Sequence, residues 1–298
     1  MNHELSRREW LALSSAALAT GLLHGEEPAA KHLMLIAGRP SHGPGSHEFN
    51  AGVHILALSL ARVPGLRVSV HSGGWPTDEK AFDTADGILV YADGGGGHPF
   101  IQQDHLKKIG ALMDRGVGLM AAHFGVEVPK DKGANEFRDW IGGCYEHEWS
   151  CNPMWIPEFT EFPQHPITRG VKPFAVQDEW YINLRFRPEM KGITPLLSAA
   201  PSDQVRNGPY VYPRGPYKHI QDAKGKSEVM MWSVERADGG RGVGFTGGHF
   251  HKNWMEPNFR KIVLNALLWI TKIEVPEAGV ESVVTETDMK AKLDPKGK

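Results

Sequence analysis

Short apolar runs alternate along the chain with longer segments whose apolar residues recur at helical spacing. The run HLMLIAG predicts a buried first strand, and FNAGVHILALSLARV then places Val53, Leu56, Leu60 and Val63 on one helical face. Further strands are predicted at LRVSVHSG, ILVYADG, GVGLMAAHF and GVGFTGG, with helices over residues 99–115 and 257–272. Strands that alternate with helices in this way indicate βαβ units, and therefore an α/β fold with a parallel sheet and helices on both faces.

The alternation is interrupted in the second half of the chain. Between residues 142 and 238, proline and aromatic residues surround short strand-like pieces such as FTEFP, EWYINLRF, TPLLSAA and EVMMWSVER. This pattern predicts an insertion of antiparallel strands and long loops over the active edge of the sheet. Residues 276–298 are charged and weakly patterned, so they are expected to form a peripheral tail.

The N-terminal segment has the pattern of an export signal. Arg7 and Arg8 directly precede LALSSAALATGLL, an apolar stretch too short to span a bilayer. Residues 1–30 are therefore predicted to be a twin-arginine signal, cleaved between Ala19 and Ala30, and the mature protein to be periplasmic or extracellular. An amphipathic N-terminal helix is the alternative.

Composition narrows the function classes. The 298 residues are 41% hydrophobic with a formal net charge of −2 and no block of Lys or Arg, which argues against nucleic acid as a partner. No membrane span is predicted. Cys144 and Cys151 are expected to be either two buried thiols or a small-loop disulfide, with a metal site that includes His147 as a third alternative. The oligomeric state stays open, with a homo-oligomer as one alternative.

Histidines follow four of the strand-like runs, at His42, His98, His123 and His249. In a parallel α/β sheet the carboxyl ends of the strands share one edge, where ligands bind. Imidazole serves acid–base chemistry near neutral pH and also ligates metals. The pattern therefore predicts a functional pocket at this edge.

His123 is the main catalytic candidate. It ends the run LMAAH and is followed by Phe124-Gly125, a composition that permits a sharp strand-to-loop elbow. The chain has no G-x-S-x-G motif, so acyl transfer by a serine nucleophile is not supported. His123 is interpreted as a general base, an orienting donor or a metal ligand, against the alternative of a core histidine bonded to backbone.

Two loops contribute further candidates. Asp93 and His98 bracket a run of four glycines that lets backbone N–H groups approach a ligand, although it matches neither a P-loop nor a dinucleotide fingerprint. His42 and His47, beside Glu48, are candidate metal ligands together with His249 or His251. Flexible turns and solvated loop histidines are the structural alternatives.

The second half supplies a carboxylate, a phenol and an aromatic cluster. Strand alternation places Glu179 and Tyr181 on one face and Asp178 and Trp180 on the other, unless this is an ordinary edge strand. His249, His251 and Trp254 follow the last strand in HFHKNW, a mixture typical of sites for carbohydrates or small polar ligands.

Taken together, these segments resemble the ThuA-like (trehalose utilisation) family. The matching pieces are HLMLIAGRPSHGPGSHEF, GLMAAHFGVEVP, DWIGGCYEHEWSCNPMW, HPITRGV, DEWYINLRF, GRGVGFTGGHFHKNW and FRKIVLNALLWI. The resemblance implies a flavodoxin-like fold related to class I glutamine amidotransferases. It also implies a role in sugar catabolism, often beside dehydrogenases that make 3-keto-sugars. His123 stands where the amidotransferases place their cysteine, so glutaminase activity is not expected. The site residues that the resemblance implies are His123, Glu127, Glu179, Tyr181, His249 and Trp254.

Three functional hypotheses follow. The first is an exported carbohydrate isomerase, lyase or hydrolase in which His123 is the base, Glu179 its acid partner and His249 a stabilising donor, with no cofactor required. The second is a metal-dependent hydrolase or isomerase in which His42 or His47, His123 and His249 bind Zn²⁺ or a similar ion. The third is a non-catalytic carbohydrate-binding module that uses the glycine-rich loop, Trp75, Trp180 and Trp254.

Overall fold

A computed structural model describes residues 30–296 of the chain. The predicted export signal lies outside the described residues, apart from Ala30, and stays a prediction. The strands are β1 (Lys31–Ala37), β2 (Leu66–His71), β3 (Gly87–Tyr91), β4 (Gly118–Ala122), β5 (Gly143–Cys144), β6 (Met154–Trp155), β7 (Glu158–Phe159), β8 (Phe174–Ala175), β9 (Asp178–Glu179), β10 (Arg185–Phe186), β11 (Ile193–Ala199), β12 (Glu228–Glu235) and β13 (Arg241–Phe245). The helices are α1 (Phe49–Leu60), α2 (His105–Asp114), α3 (Ala134–Trp140), α4 (Asp203–Arg206), α5 (Lys218–Gln221), α6 (Pro257–Ile270) and α7 (Glu286–Lys290).

Seven strands form the main sheet, in the order β11-β12-β13-β4-β3-β1-β2. The five strands from β13 to β2 are parallel, whereas β12 and β11 extend the sheet by antiparallel pairing. Every residue of β3 and β4 is buried, as expected for central strands covered on both faces. The predicted α/β fold with a mainly parallel sheet is therefore confirmed.

Alternate residues of the central strands β1, β3 and β4 enter two separate apolar cores. Leu89 and Met120 pack with α1 and α6 on one face, and Ile88 and Leu119 pack with α2 and α3 on the other. The two-residue period of a strand and the helical spacing of the apolar stripes together produce this three-layer arrangement. The helices of residues 30–296 are too short or too polar to cross a bilayer.

One predicted helix starts later than expected. The sequence predicts one helix over residues 99–115, but the structure has a 3₁₀ turn at Pro99–Ile101 and α2 begins at His105. Gln103 lies between them with a left-handed backbone (φ 46°), which interrupts the helical hydrogen bonding.

Residues 142–238 contain three short antiparallel pairs, β5–β10, β6–β9 and β7–β8, besides the two strands that join the main sheet. Cys144 and Cys151 are buried in this region as free thiols, and the disulfide alternative is not observed. Burial raises the pKa of Cys144 to about 12, and neither thiol belongs to a group of candidate metal ligands among residues 30–296.

The C-terminal tail is less peripheral than the sequence suggests. Its residues 289–296 run back to the loop that follows β1, where the Lys296 ammonium donates to backbone carbonyls at the carboxyl edge of the sheet. Sequence patterning gave no indication of this contact, because the segment is charged and short of apolar residues.

Candidate metal centre and pocket

His123 lies on a sharp elbow at the end of β4. Its backbone is left-handed (φ 53°), an uncommon conformation for a residue with a side chain, and it opens a 3₁₀ turn at His123–Val126. The ring is fully buried, and Nδ1 donates to the Thr246 carbonyl, 3.0 Å away, at the end of β13. Because a carbonyl oxygen is only an acceptor, the Nδ1 proton is fixed and the lone pair of the neutral ring lies on Nε2.

His47 reaches the same place from the loop after β1. Its Nδ1 lies 2.8 Å from the Asp93 carboxylate, which follows β3. The carboxylate accepts the Nδ1 proton, so the free lone pair of His47 also lies on Nε2. Hydrogen bonds of this kind orient histidine ligands and raise their basicity in metal sites.

Glu179 and His249 complete the group. Asp178, which precedes Glu179 on β9, accepts hydrogen bonds from the backbone N–H groups of Gly248 (2.8 Å) and His249 (2.9 Å), and this fixes the loop after β13. The Glu179 carboxylate accepts a hydrogen bond of 2.6 Å from the Asn152 amide through Oε1. Its other oxygen, Oε2, points to His249 Nδ1 at 2.7 Å.

The four side chains converge on one point. His123 Nε2 lies 3.0 Å from His47 Nε2, which lies 3.1 Å from His249 Nδ1. Glu179 Oε2 lies 3.7 Å from His123 Nε2, and the four ligating atoms all lie within 4.8 Å of one another. All four residues are buried. We call these residues, His47, His123, Glu179 and His249, the four-residue cluster.

A hydrogen bond between His47 and His123 would require one of the two rings to be charged. Burial and the neighbouring histidines and Lys296 lower the pKa of His47 to about 2, and burial also holds the pKa of His123 well below its usual value. Protonation of His47 at neutral pH is therefore strongly disfavoured. Two lone pairs thus face each other at 3.0 Å, an arrangement that a cation between them would stabilise.

The donor set fits a divalent transition metal. Three imidazoles and one carboxylate suit Zn²⁺ and its neighbours in the first transition row. Ligands at the usual zinc distances in a tetrahedron lie about 3.3 Å apart, within the observed range of 2.7 to 3.7 Å for the closest pairs. The buried four-residue cluster could therefore hold a metal ion.

A cavity of about 330 Å³ opens directly beside the four-residue cluster. We call it the site pocket, and its walls combine acids, imidazoles and aromatic rings: His42, His47, Phe124, Glu127, His147, Asn152, Glu179, Tyr181, Val211 and Tyr212. Burial, helped by the charge of Glu179, raises the pKa of Glu127 to about 7. Burial also keeps the pKa of Tyr181 well above its usual value, so its hydroxyl stays a donor. The pocket thus holds a proton donor and a group that exchanges protons near neutral pH.

The remaining predicted residues lie at varying distances from this site. His42 stacks on His47, with ring centroids 3.6 Å apart, and forms a second, more exposed group with His47 and Asp93. The ring nitrogens of His98 and the Nε2 of His251 are occupied by backbone: His98 by Phe100 N and Gly125 O, His251 by Met289 O. These two histidines belong to neither group of candidate ligands.

The tryptophans do not form a binding surface in the site pocket. Trp180 is completely buried. Trp254 packs in the core against Tyr91 and Phe259, with ring centroids 6.0 and 5.2 Å apart. Trp75 lines a different cavity, beyond Asp93, and stacks on His105. The prediction that Trp254 contacts substrate therefore finds no support in its position.

Several residues of the site were missed from sequence. Asn152, Thr246 and Asp178 hold the cluster in place through the hydrogen bonds described above, and Phe124, His147 and Tyr212 line the pocket. Asp178 was visible in the motif DEWY, but its contacts with backbone 70 and 71 residues away are tertiary. Phe124 and His147 lie in motifs noted for other roles, the elbow and the cysteine pair, whereas Asn152, Thr246 and Tyr212 carry no local signal.

Acid stability should report on His98. Burial lowers its pKa to about 4, so below pH 6.5 the unfolded chain binds a proton that the folded chain does not. We expect the free energy of unfolding to fall between pH 6.5 and 4, with up to about 3 kcal/mol attributable to this ring. Urea denaturation at several pH values across that range should show that the free energy of unfolding changes less with pH in His98→Gln than in the wild type. Glutamine is chosen because it keeps a donor and an acceptor. An equal pH dependence of the free energy of unfolding in both proteins would contradict the lowered pKa of His98.

Comparisons with known proteins agree with the fold. A ThuA-like protein from Bacteroides uniformis ATCC 8492 superposes with a TM-score of 0.57 at 15% identity, covering 83% of this chain and 93% of that chain. A ThuA-like protein from Parabacteroides merdae ATCC 43184 superposes with a TM-score of 0.53 at 12% identity, covering 86% of this chain and 94% of that chain. The glutaminase domain of Trypanosoma brucei CTPS gives 0.40 at 8% identity, covering 85% and 100%, which is too low to support a conclusion.

Sequence comparison identifies the family. No curated protein sequence matches the chain significantly. Residues 46–270, most of the chain and all of the four-residue cluster, match the sequence profile of the ThuA family, described as trehalose utilisation. The resemblance expected from the motifs is confirmed, and the chain belongs to the ThuA family.

Proposed function

We propose that this chain is an enzyme that acts on a sugar or 3-keto-sugar derivative with the help of a divalent metal ion held by the four-residue cluster. The main support for a metal is the distance of 3.0 Å between the uncharged Nε2 atoms of His47 and His123. The Nδ1 protons of both rings are already donated to other groups, Asp93 and the Thr246 carbonyl. A purely acid–base arrangement offers no proton for this contact.

The metal changes the roles expected from the sequence. His123, Glu179 and His249 become ligands, so His123 is no longer free to act as the base. A bound ion would polarise a carbonyl or hydroxyl oxygen of the substrate as a Lewis acid. Proton transfer is then assigned to Glu127, which lines the site pocket next to Glu179 and is not a member of the cluster.

The lining of the pocket supports a hydroxylated substrate. Tyr181 and Asn152 offer polar groups, and the rings of Phe124 and Tyr212 offer surfaces for the apolar faces of a sugar. Tyr212 is 70% exposed and so is free to contact a ligand at the mouth. For a 3-keto-glycoside, Glu127 would remove the proton next to the carbonyl, which permits isomerisation or elimination. A role as a pure binding module is not favoured, because Trp180 and Trp254 are buried.

Metal analysis combined with turnover tests this function. Protein purified without chelator is expected to contain about one equivalent of a transition metal and to convert 3-keto-glycosides, as followed by mass spectrometry. Dialysis against a strong chelator should abolish turnover, and adding back Zn²⁺, Mn²⁺ or Co²⁺ should restore it. Full turnover by demonstrably metal-free protein would exclude the metal role. Metal binding without turnover of any keto-glycoside would exclude the substrate class.

A further inference from the structure

The C-terminal tail contacts the loop that carries His42 and His47. Lys296 extends into this loop, and its ammonium donates to the carbonyls of Ser41 (2.6 Å), Ser46 (2.9 Å) and His47 (3.0 Å). Only 6% of the Lys296 side chain is exposed. The third of these acceptors is the carbonyl of a cluster residue itself.

A buried carboxylate makes the second part of the contact. Glu48, whose side chain is 3% exposed, accepts from the backbone N–H of Asp294 at 2.7 Å and from that of Gly45 at 2.9 Å. Its Oε2 lies 3.9 Å from the Lys296 ammonium. Tail and loop are therefore joined by hydrogen bonds to two buried charged groups of opposite sign.

Apart from the tail, the loop is held mainly at its end, where the His47 N–H donates to the His249 carbonyl (3.0 Å) and the Gly45 carbonyl accepts from the His251 N–H (2.9 Å). Residues 39–45 (RPSHGPG) are mostly exposed, and two of the seven are prolines, which lack a backbone N–H. His47 nevertheless adopts a left-handed backbone (φ 48°), a conformation that costs free energy and persists where surrounding contacts impose it. Lys296 and the Asp294–Glu48 contact supply such constraints on both sides of His47.

We propose that residues 292–296 are a positioning segment for the metal centre, with Lys296 as the positioning residue that acts through the His47 backbone. The proposal rests on the proposed function, because it concerns the affinity of the same cluster for an ion. The segment lies outside residues 46–270, which match the family. In this chain the tail thus completes a site whose ligands all come from the family core.

Two effects of Lys296 on an ion oppose each other. The ammonium repels a cation at the cluster, but the nearby Glu48 carboxylate offsets its charge. Loss of the ammonium leaves three partly buried carbonyls without this donor and removes the cation next to Glu48, which keeps only its two backbone N–H donors, and this destabilises the observed loop conformation. We therefore expect the positioning effect to dominate. Removal of groups that orient a metal ligand commonly weakens metal affinity 10–100-fold.

The test compares the Zn²⁺ affinities of full-length variants by competition with a chromophoric chelator. Lys296→Met should bind Zn²⁺ at least 10-fold more weakly than the wild type, at a temperature where circular dichroism shows both to be folded. Lys290→Met is the matched control, because Lys290 is exposed on α7 and should leave the affinity unchanged. If Lys296→Met does not fold, Glu48→Gln/Lys296→Met removes both charges and should show the same loss.

The outcomes separate the two proposals. Unchanged or tighter binding by a folded Lys296 variant, with normal wild-type binding, would overturn the positioning role and leave the metal centre intact. An equal loss in Lys290→Met would also overturn it. If the wild type itself bound no Zn²⁺, Mn²⁺ or Co²⁺, the metal centre would fail first and the positioning role with it.

Discussion

Replacing His123 with alanine is expected to reduce turnover at least about 1,000-fold and to lower metal content from one equivalent to below about a tenth. The substitution removes the Nε2 atom that would bind the proposed ion, 3.0 Å from His47 Nε2 and 3.7 Å from Glu179 Oε2. A thousand-fold loss corresponds to about 4 kcal/mol of transition-state stabilisation, which is within the range that metal polarisation supplies. Metal content by mass spectrometry and turnover by product analysis would measure the two effects.

A second buried histidine provides the control for this prediction. His98 also follows a central strand and is completely buried, but its ring bonds to backbone and not to the cluster. His98→Gln should keep its full metal content although it is less stable. If His123→Ala retained a full equivalent of metal, the ligand role of His123 would be wrong. If both variants lost the metal equally, the loss would reflect general destabilisation.

Replacing Glu127 with glutamine is expected to lower kcat about 100- to 1,000-fold while metal content and KM change little. Glutamine preserves the shape of the side chain but cannot transfer a proton, and a positioned acid–base group contributes about this factor. Because burial raises the pKa of Glu127 to about 7, the wild-type rate should change through neutral pH, increasing with pH if Glu127 acts as a base. Steady-state kinetics from pH 5.5 to 8.5 would measure both the loss of kcat in Glu127→Gln and the loss of the pH dependence seen in the wild type.

Glu148→Gln is the matched control, because Glu148 lies exposed beside His147, which lines the site pocket. It should leave kcat and the pH profile unchanged. A normal kcat in Glu127→Gln would mean that another group transfers the proton, and Tyr181 would be the next residue to test. A loss of metal in Glu127→Gln would instead mean that this carboxylate supports the cluster.

Local patterning predicted the framework well because the framework depends on periodicity. The strands β1, β3, β4 and β13 are short apolar runs, and their burial on both faces leaves no polar alternation to confuse them with surface strands. The strand-end rule then places His123 and His249 at one edge. Glu179 required the additional step of strand alternation in a two-residue strand, and its place in the cluster depends on Asp178.

Side-chain direction at the edge could not be predicted in the same way. His98 also follows a strand, but its Nδ1 accepts from Phe100 N and its Nε2 bonds to the Gly125 carbonyl. The ring is therefore held by backbone and does not reach the cluster. His42 and His47 both adopt a left-handed backbone in an irregular loop (φ 57° and 48°), yet only His47 reaches the cluster. Trp254 lies in a 3₁₀ turn at His251–Met255 that directs its ring into the core. Each of these outcomes follows from tertiary contacts that no local pattern encodes.

The close approach of His47 Nε2 to His249 Nδ1, at 3.1 Å, joins positions 202 residues apart in sequence. An unfolded chain therefore has no ready-made chelate, and an ion would bind only after the loops following β1, β4 and β13 have come together. Under this linkage the free energy of ion binding is added in full to the free energy of unfolding, about 2.7 kcal/mol at a free ion concentration of 100 times Kd. Thermal resistance of the whole domain would then depend on the ion supply of its surroundings.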